Sequence, residues 1–372
     1  MDEFKNKKIL ITGGTGFIGN RLAERLSLEE KAGVKVLVHN WPKATWVSRS
    51  NVDLIKGDVT NPEDVDNAVK GMEVVFHCVG VGGNLEYCMK VNLDGTKNVL
   101  TACKKYNVKK IVYLSSSAVH GSYVYEGMNE EAPYKSVGNP YADSKIEAEK
   151  YFLTFIKSNG IEGTIIRPTY VWGPRSPYYT IDVIKQMQND SFKLVDDGTG
   201  ACNAVHVDNV VDISLICGYH PKAIGEVFLI TDGERLTWSQ FWGAYSQMVG
   251  IDIMKFPSVS STDNLNRKVG KLIKTPFIIC KNILSDFIEK SDERLSFLKK
   301  YGLKAPRKAT NILLSFLSSL FPEVNEWDLQ KFSSTGYISL EKSKKLLGCS
   351  PRVSIQQGME ECEMWLRDQN YL

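Results

Sequence analysis

Residues 11–26 read ITGGTGFIGNRLAERL. Two glycine spacings overlap there, Gly14-x-Gly16-x-x-Gly19 and Gly13-x-x-Gly16-x-x-Gly19. A short apolar run, Lys8–Thr12, comes just before them. Ile18, Leu22 and Leu26 follow at helical spacing. A strand that turns through glycines into an amphipathic helix gives such spacing a meaning beyond a flexible turn. The glycines permit a tight turn and a close approach of backbone to a pyrophosphate. The helix N-terminus adds unpaired N–H groups and a partial positive charge. The stretch is therefore read as a dinucleotide cradle, with Gly13, Thr15, Gly16, Phe17, Ile18 and Gly19 as its contacts.

Working outward, the next 100 residues alternate two periods. β-rich runs at Lys8–Thr12, Val34–Val38, Asp53–Lys56, Val74–Cys78 and Lys109–Leu114 read as strands. Helical stripes lie between most of them: Val65 with Val69, and Val91 with Val99 and Cys103. Asn61, Pro62, Glu63 and Asp64 make a helix start signal. Ile161–Arg167 and Glu226–Thr231 add two later strands. This alternation implies an α/β fold of the Rossmann type, a doubly wound parallel sheet. The expected division is a dinucleotide-binding domain, residues 1–168 plus 201–231. A smaller, mixed and helix-rich substrate lobe takes 169–200 and 232–372. Within that lobe, residues 262–333 mix lysines with apolar clusters, as in VGKLIKTPFIICKNIL. They are expected to pack in the lobe, to cover a greasy substrate as a lid, or to face a membrane surface.

The end of the second strand selects the dinucleotide. An acid there pairs with ribose hydroxyls and favours NAD, while a basic residue accommodates the extra phosphate of NADP. The chain has His39 and Asn40 at that point and Lys43 just beyond, with no Asp or Glu. The reading leans to NADP over NAD. Asp58, after the third strand, is placed to meet adenine.

Tyr141-x-x-x-Lys145 opens a helix in NPYADSKIEAEKYF, so both side chains share one face. A tyrosine with a pKa of about 10 is a poor proton carrier at neutral pH. An adjacent ammonium is expected to lower that value and let Tyr141 act as acid or base. Lys145 is also placed to hold the nicotinamide ribose. Upstream, IVYLSSSAVHG ends a strand with hydroxyls at Ser115–Ser117, where ligands of parallel sheets bind.

These elements in this order resemble an extended short-chain dehydrogenase/reductase, the group that includes NAD-dependent sugar epimerases and dehydratases. The resemblance runs through TGGTGFIG, GDVTNPEDV, VVFHCVGVGG, VNLDGTKNVL, IIRPTYVWGPR, HVDNVVD and ISLEKSKKLLGCSPRVSIQQGMEECEMWL. It implies reversible hydride transfer at a nicotinamide, with Tyr141 moving the proton. It also implies that Asp58 and Val59 meet the adenine and that Cys78 and Val79 form a strand end at the cofactor. Asn92 then lies behind the active site, and Pro168 approaches the nicotinamide. Counting back from Val119-x-Gly121 puts the family's Ser/Thr on Ser116, with Ser117 next in line. The resemblance also implies a homodimer through helices near Leu93–Lys104 and Tyr141–Lys157.

Departures from the family narrow the reaction. Ser117 and Ala118 stand where dehydratases carry Asp-Glu. Asn203 stands near the arginine that meets a sugar nucleotide's pyrophosphate, and Tyr170 replaces a common asparagine. GEVFLITDGERLTWSQFWGAYSQMVG resembles the hydroxysteroid dehydrogenase/isomerase group instead. The expectation is a dehydrogenase or reductase for a secondary alcohol or ketone of a largely apolar, steroid-like or alkyl keto molecule. Ser117, His120, Tyr170 and Asn203 would border that substrate. A sugar-nucleotide epimerase with tightly bound NAD is the alternative. A non-catalytic dinucleotide binder is the minor one, opposed by the intact Ser116, Tyr141 and Lys145.

Composition excludes other classes. A net charge of +3 over 372 residues, with no run of like charges, does not suggest nucleic acid. The eight cysteines are scattered and show no metal-ligand spacing. They read as reduced thiols of a cytoplasmic protein. No run of ~18 apolar residues spans a membrane, and the charged start MDEFKNKK does not read as a signal peptide. His77 and His206 are expected in the core, and Trp238 and Trp242 on one buried helix face.

Overall fold

The computed structural model describes residues 3–262 and 324–372. Residues 263–323, most of the expected lid or membrane-facing segment, lie outside the described residues.

The apolar runs become seven parallel strands. They are β1 Lys8–Thr12, β2 Gly33–Val38, β3 Val52–Lys56, β4 Val74–His77, β5 Lys110–Leu114, β6 Glu162–Pro168 and β7 Val227–Ile230. Their order is β7-β6-β5-β4-β1-β2-β3, and every pairing is parallel. Strand alternation sends Ile9 and Ile11 to one face and Leu10 to the other, so each face builds its own core. Helices α1 Phe17–Glu24 and α6 Val207–Tyr219 cover the first face. Helices α2 Pro62–Val69, α3 Gly95–Lys105 and α4 Pro140–Asn159 cover the second. The start of α2 is as the sequence signals it: Asn61 accepts from Glu63 N at 3.0 Å, with Pro62 at the first position.

After β6 the chain leaves the sheet. Tyr170–Trp172 pairs with Ala204–His206, and Ala201–Cys202 pairs with Leu236–Thr237. Here a third core forms, with helices α5 Asp182–Gln188, α7 Trp238–Met248, α8 Glu326–Ser333 and α10 Ile355–Asp368 on or near it, while α9 Glu341–Leu347 packs on the first core through Leu346 and Leu347. Trp238 and Trp242 are buried in this core and stack at 5.1 Å. His77 and His206 are fully buried, as expected.

β1 and β4 are neighbours, yet β2 continues from the other side of β1. The crossovers therefore diverge at the carboxyl ends of β1 and β4. Open parallel sheets bind ligands at that point.

Candidate active site

The glycine loop sits at this divergence. Gly13 has φ +76°, a region that L side chains avoid. A Cβ there would lie 2.8 Å from the carbonyl carbon and oxygen of Cys78 and 2.9 Å from Val79 N. The loop thus presses its backbone against the end of β4. Gly16 is the N-cap of α1, with no side-chain cap and no acidic residue in the first turn. The helix leaves its first N–H groups free for an anion. Bare backbone at Gly13 and an uncapped helix at Gly16 fit a dinucleotide pyrophosphate, and the residues read from the sequence would hold it.

Beside this loop, the catalytic candidates converge. Asn139 caps α4 by accepting from Tyr141 N and Ala142 N, both at 3.1 Å. Pro140 at the first helical position pre-sets the backbone. Lys145, one turn on, is 1% exposed. Its ammonium donates to Val79 O and Leu114 O at 2.9 Å and to Tyr113 Oη at 3.3 Å. Lys145 therefore ties α4 to the ends of β4 and β5. Burial pulls its pKa down to about 8, while Glu149 and Cys78 pull it back up. Gly80 faces Lys145 and Tyr141 together: a Cβ on it would meet Lys145 Cε at 3.4 Å and Tyr141 Cε2 at 3.7 Å.

Tyr141 differs from the expectation that Lys145 lowers its pKa. Burial raises it, and the hydrogen bond with Ser116 only partly offsets this. Among the described residues the ammonium spends its protons on the two carbonyls and Tyr113, so the phenol keeps its proton. Ser116 also accepts from Ala118 N at 3.2 Å. Ser115 is buried, and its hydroxyl meets no partner among the described residues.

Behind these residues lies a neutral polar chain. His77 accepts from Thr12 Oγ1 at 2.6 Å and donates to Thr96 Oγ1 at 3.0 Å, because Thr96 itself donates to Asn92 O at 2.6 Å. Burial, with help from the Lys145 charge, lowers the His77 pKa to about 3. Asn92 sits in a widened helical turn, Met89–Asp94, ahead of α3. Its amide clamps Val81 N at 2.9 Å and Val81 O at 3.0 Å, and it donates to Ser144 Oγ at 2.9 Å. Asn92 thus fastens the loop after β4 to α4.

A buried ion pair extends the set. Arg167 donates through Nε to both oxygens of Glu149 at 3.1 Å, and through a terminal nitrogen to Oε2 at 2.6 Å. Glu149 also accepts from Tyr134 Oη at 2.9 Å. Glu149 stands one helical turn beyond Lys145, and Arg167 immediately precedes buried Pro168. Sequence reasoning missed Tyr113, Glu149 and Arg167. Two signals were present: an arginine inside a strand buried along most of its length, and an acid four residues after Lys145.

Two expected substrate residues turn inward instead. His120 is 4% exposed, donates from Nδ1 to Pro133 O at 3.1 Å and accepts from Arg167 at 3.0 Å. Both ring nitrogens are spent on the ion-pair network. Asn203 is 2% exposed, donating to Gly336 O and accepting from Ile338 N, each at 2.9 Å. Its amide is consumed in pinning a neighbouring chain segment. Tyr170 stays with the lobe's aromatics, 5.8 Å from Tyr179 and 5.5 Å from Trp238. Ser117 is half-buried beside Ser116.

At the adenine end, His39 Nδ1 lies 3.2 Å from Asp58 Oδ2. Asn40 and Lys43 are exposed on the turn after β2. Val59 is buried, and its carbonyl accepts from Asn98 at 2.9 Å. A cavity of about 400 Å³ opens on the outer side of the glycine loop, lined in part by Thr15, Phe17, Arg21, Arg175 and Glu361. One trio among the described residues, His206, Asp208 and Glu361, brings ligand atoms within 4.8 Å of one another. Asp208 is already held there by Arg21 at 2.5 and 3.1 Å.

A parallel sheet with a glycine cradle and a Ser-Tyr-Lys cluster at its carboxyl edge defines a dinucleotide-dependent enzyme. The family model described as NAD dependent epimerase/dehydratase family matches residues 9–231, and the chain belongs to that family. It is an oxidoreductase. A 2-alkyl-3-oxoalkanoate reductase of Stenotrophomonas maltophilia is 29% identical, over 95% of this chain and 97% of its own. A mouse sterol-4-alpha-carboxylate 3-dehydrogenase, decarboxylating, is 26% identical, over 96% and 91%. Among solved structures, UDP-glucose 4-epimerase of Thermotoga maritima superposes with a TM-score of 0.71 at 22% identity, covering 98% of this chain and 99% of its own. No helix among the described residues is long and apolar enough to cross a membrane.

Proposed function

We propose that the chain catalyses reversible hydride transfer at a secondary alcohol or ketone carbon of a largely apolar molecule. The observation that carries this reading is the convergence of Tyr141 and Lys145 on Gly80, beside the serine end of β5, with Lys145 bonded to Val79 O and Leu114 O. A bound nicotinamide supplies or takes the hydride. Ser116 and Tyr141 hold the reacting oxygen between two hydroxyls, and Tyr141 gives its proton to the oxygen as a ketone is reduced. Lys145 keeps a positive charge behind the phenol and lies beside the main chain of Val79, where a ribose would rest. Gly80 leaves both side chains uncovered.

The lobe supports an apolar substrate. Tyr170, Tyr179, Trp238 and Trp242 gather beyond β6, and Asn203 offers no charge for a pyrophosphate. Two relatives act, by their names, on 3-oxoalkanoates and sterol carboxylates. Both descriptions agree with a greasy alcohol or ketone.

For the cofactor we infer NADP over NAD, because exposed His39 and Lys43, and no acid, follow β2. Asp58 beside His39 is the opposing feature. We also infer a division into residues 1–168 plus 201–231 for the cofactor and the rest for substrate. A cytoplasmic homodimer through the helices at 93–104 and 141–157 completes the reading.

The test is titration with NAD and NADP, then turnover of hydroxysteroids, 3-hydroxy acids and sugar nucleotides. Stoichiometric reduction of free cofactor by an apolar alcohol is expected. Sugar epimerisation without net cofactor change would establish the epimerase reading instead.

A further inference from the structure

A lysine outside the catalytic cluster occupies an unusual place. Lys331, on α8, is 7% exposed. Its ammonium lies 4.1 Å from the centroid of the Phe332 ring, 5.4 Å from that of Tyr170 and 5.6 Å from that of Tyr179. Among the described residues one acceptor meets its three N–H groups, Asp328 Oδ1 at 2.5 Å. That carboxylate is 32% exposed and three residues back on the same helix. Burying an ammonium is costly, and aromatic faces return only part of the lost hydration. A lysine can serve two carboxylates at once, because its three donors diverge.

The position of α8 sets this ammonium near the loop that leaves the serine end of β5. Gln330 accepts from Ser122 Oγ at 2.8 Å, and Ser334 Oγ accepts from Val124 N at 3.1 Å. Both partners lie on the loop that follows the serine end of β5. On its other side, Ser334 O accepts from Ala201 N at 2.7 Å. Tyr179 lies in the same aromatic wall, with Lys331 over its ring at 5.6 Å and Tyr170 at 5.8 Å. The aromatic walls and the Lys331 ammonium form one surface of the lobe, fastened to the loop that follows β5.

We propose that Lys331 recognises a carboxylate carried by the otherwise apolar substrate, so that the enzyme acts on hydroxy or keto acids in preference to their neutral analogues. This rests on the hydride-transfer reading above for the chemistry, but not for the binding. Asp328 holds the ammonium in place when no substrate is bound. An incoming carboxylate takes the remaining donors, and its apolar body lies against Tyr170, Tyr179 and Phe332. A neutral Asn203 leaves a pyrophosphate, with its greater charge, underserved.

The experiment measures binding to the full chain loaded with its preferred cofactor, by calorimetry, using 3-hydroxydodecanoate and its methyl ester as probes. A charge-assisted contact predicts that the acid binds about ten- to a hundred-fold tighter than the ester. Lys331→Met is expected to bring the two within about twofold, and Lys331→Arg to keep most of the preference. Asp328→Asn removes the competing carboxylate and is expected to tighten the acid alone. A role confined to folding would not produce that gain. Equal binding of acid and ester by the unaltered chain, or binding of neither, overturns the proposal. So does weakened acid binding in Asp328→Asn. Loss of UDP-glucose binding in Lys331→Met, with the acid unaffected, overturns it in favour of a phosphate. If the acid preference holds but neither probe reduces the cofactor, the subsite stands and the hydride-transfer reading of this substrate falls.

Discussion

Glu149→Gln tests how the site is held together. Glu149 is fully buried, and Arg167 reaches it from a strand on the far side of β5. Breaking a buried pair by neutralising one member costs about 3–5 kcal/mol, because the other charge stays in place. Glutamine keeps an oxygen for Arg167 or Tyr134, so the low end, about 3 kcal/mol, is expected. Against a domain stability of about 5–15 kcal/mol that loss is large. The double variant Glu149→Gln with Arg167→Met removes both charges and should recover much of it. A second effect is electrostatic. Burial lowers the Lys145 pKa to about 8, and the Glu149 charge opposes that fall. Without Glu149 the ammonium is lost at lower pH, so turnover declines earlier on the alkaline side. Urea unfolding of the native chain and the two variants, with the pH profile of kcat for the single variant, measures both. A single variant within ~1 kcal/mol of the native chain, or an alkaline limb that moves upward, would refute the reasoning.

The other predictions are simpler. Gly13→Ala puts a Cβ 2.8 Å from the Cys78 carbonyl at φ +76°, so dinucleotide affinity should drop at least about tenfold, and an unchanged Kd by calorimetry contradicts the cradle. Tyr141→Phe should cut turnover by about 10²–10⁴-fold with cofactor affinity nearly intact, and substantial residual turnover would remove Tyr141 from proton transfer. His77 has its pKa lowered from 6.5 to about 3, so the unfolded chain takes up the proton first as pH falls. The stability it contributes is present above pH 6.5 and is lost toward pH 3, by up to about 1.4 kcal/mol per pH unit. His77→Gln should therefore flatten urea-derived stability between pH 6.5 and 4.5. A slope as steep as that of the native chain counts against it.

Much of this was legible beforehand, for physical reasons. Strands buried on both faces write themselves as apolar runs, and β1 to β7 fell within a residue or so of their expected bounds. Gly13–Gly19 and Tyr141–Lys145 are local patterns, set by turn and helix geometry alone. His120 and Asn203 misled because spacing gives a residue's place on an element, not what competes for its polar atoms. Arg167 and the Gly336–Ile338 segment won that competition, from 47 residues away in one case and over 130 in the other. Lys331 was invisible for the same reason, since its aromatic neighbours Tyr170 and Tyr179 are joined to it only by the fold.

Lys145 is anchored on the carbonyls of Val79 and Leu114, and Asn92 grips both main-chain atoms of Val81. Main-chain acceptors survive every side-chain substitution. The cluster around Tyr141 and Lys145 is thus insulated from mutational drift at positions 79, 81 and 114. The aromatic lobe, by contrast, is assembled from side chains that single substitutions can exchange. New substrate preferences can arise there while the anchored cluster stays intact, and such a scaffold can diversify widely around one fixed site.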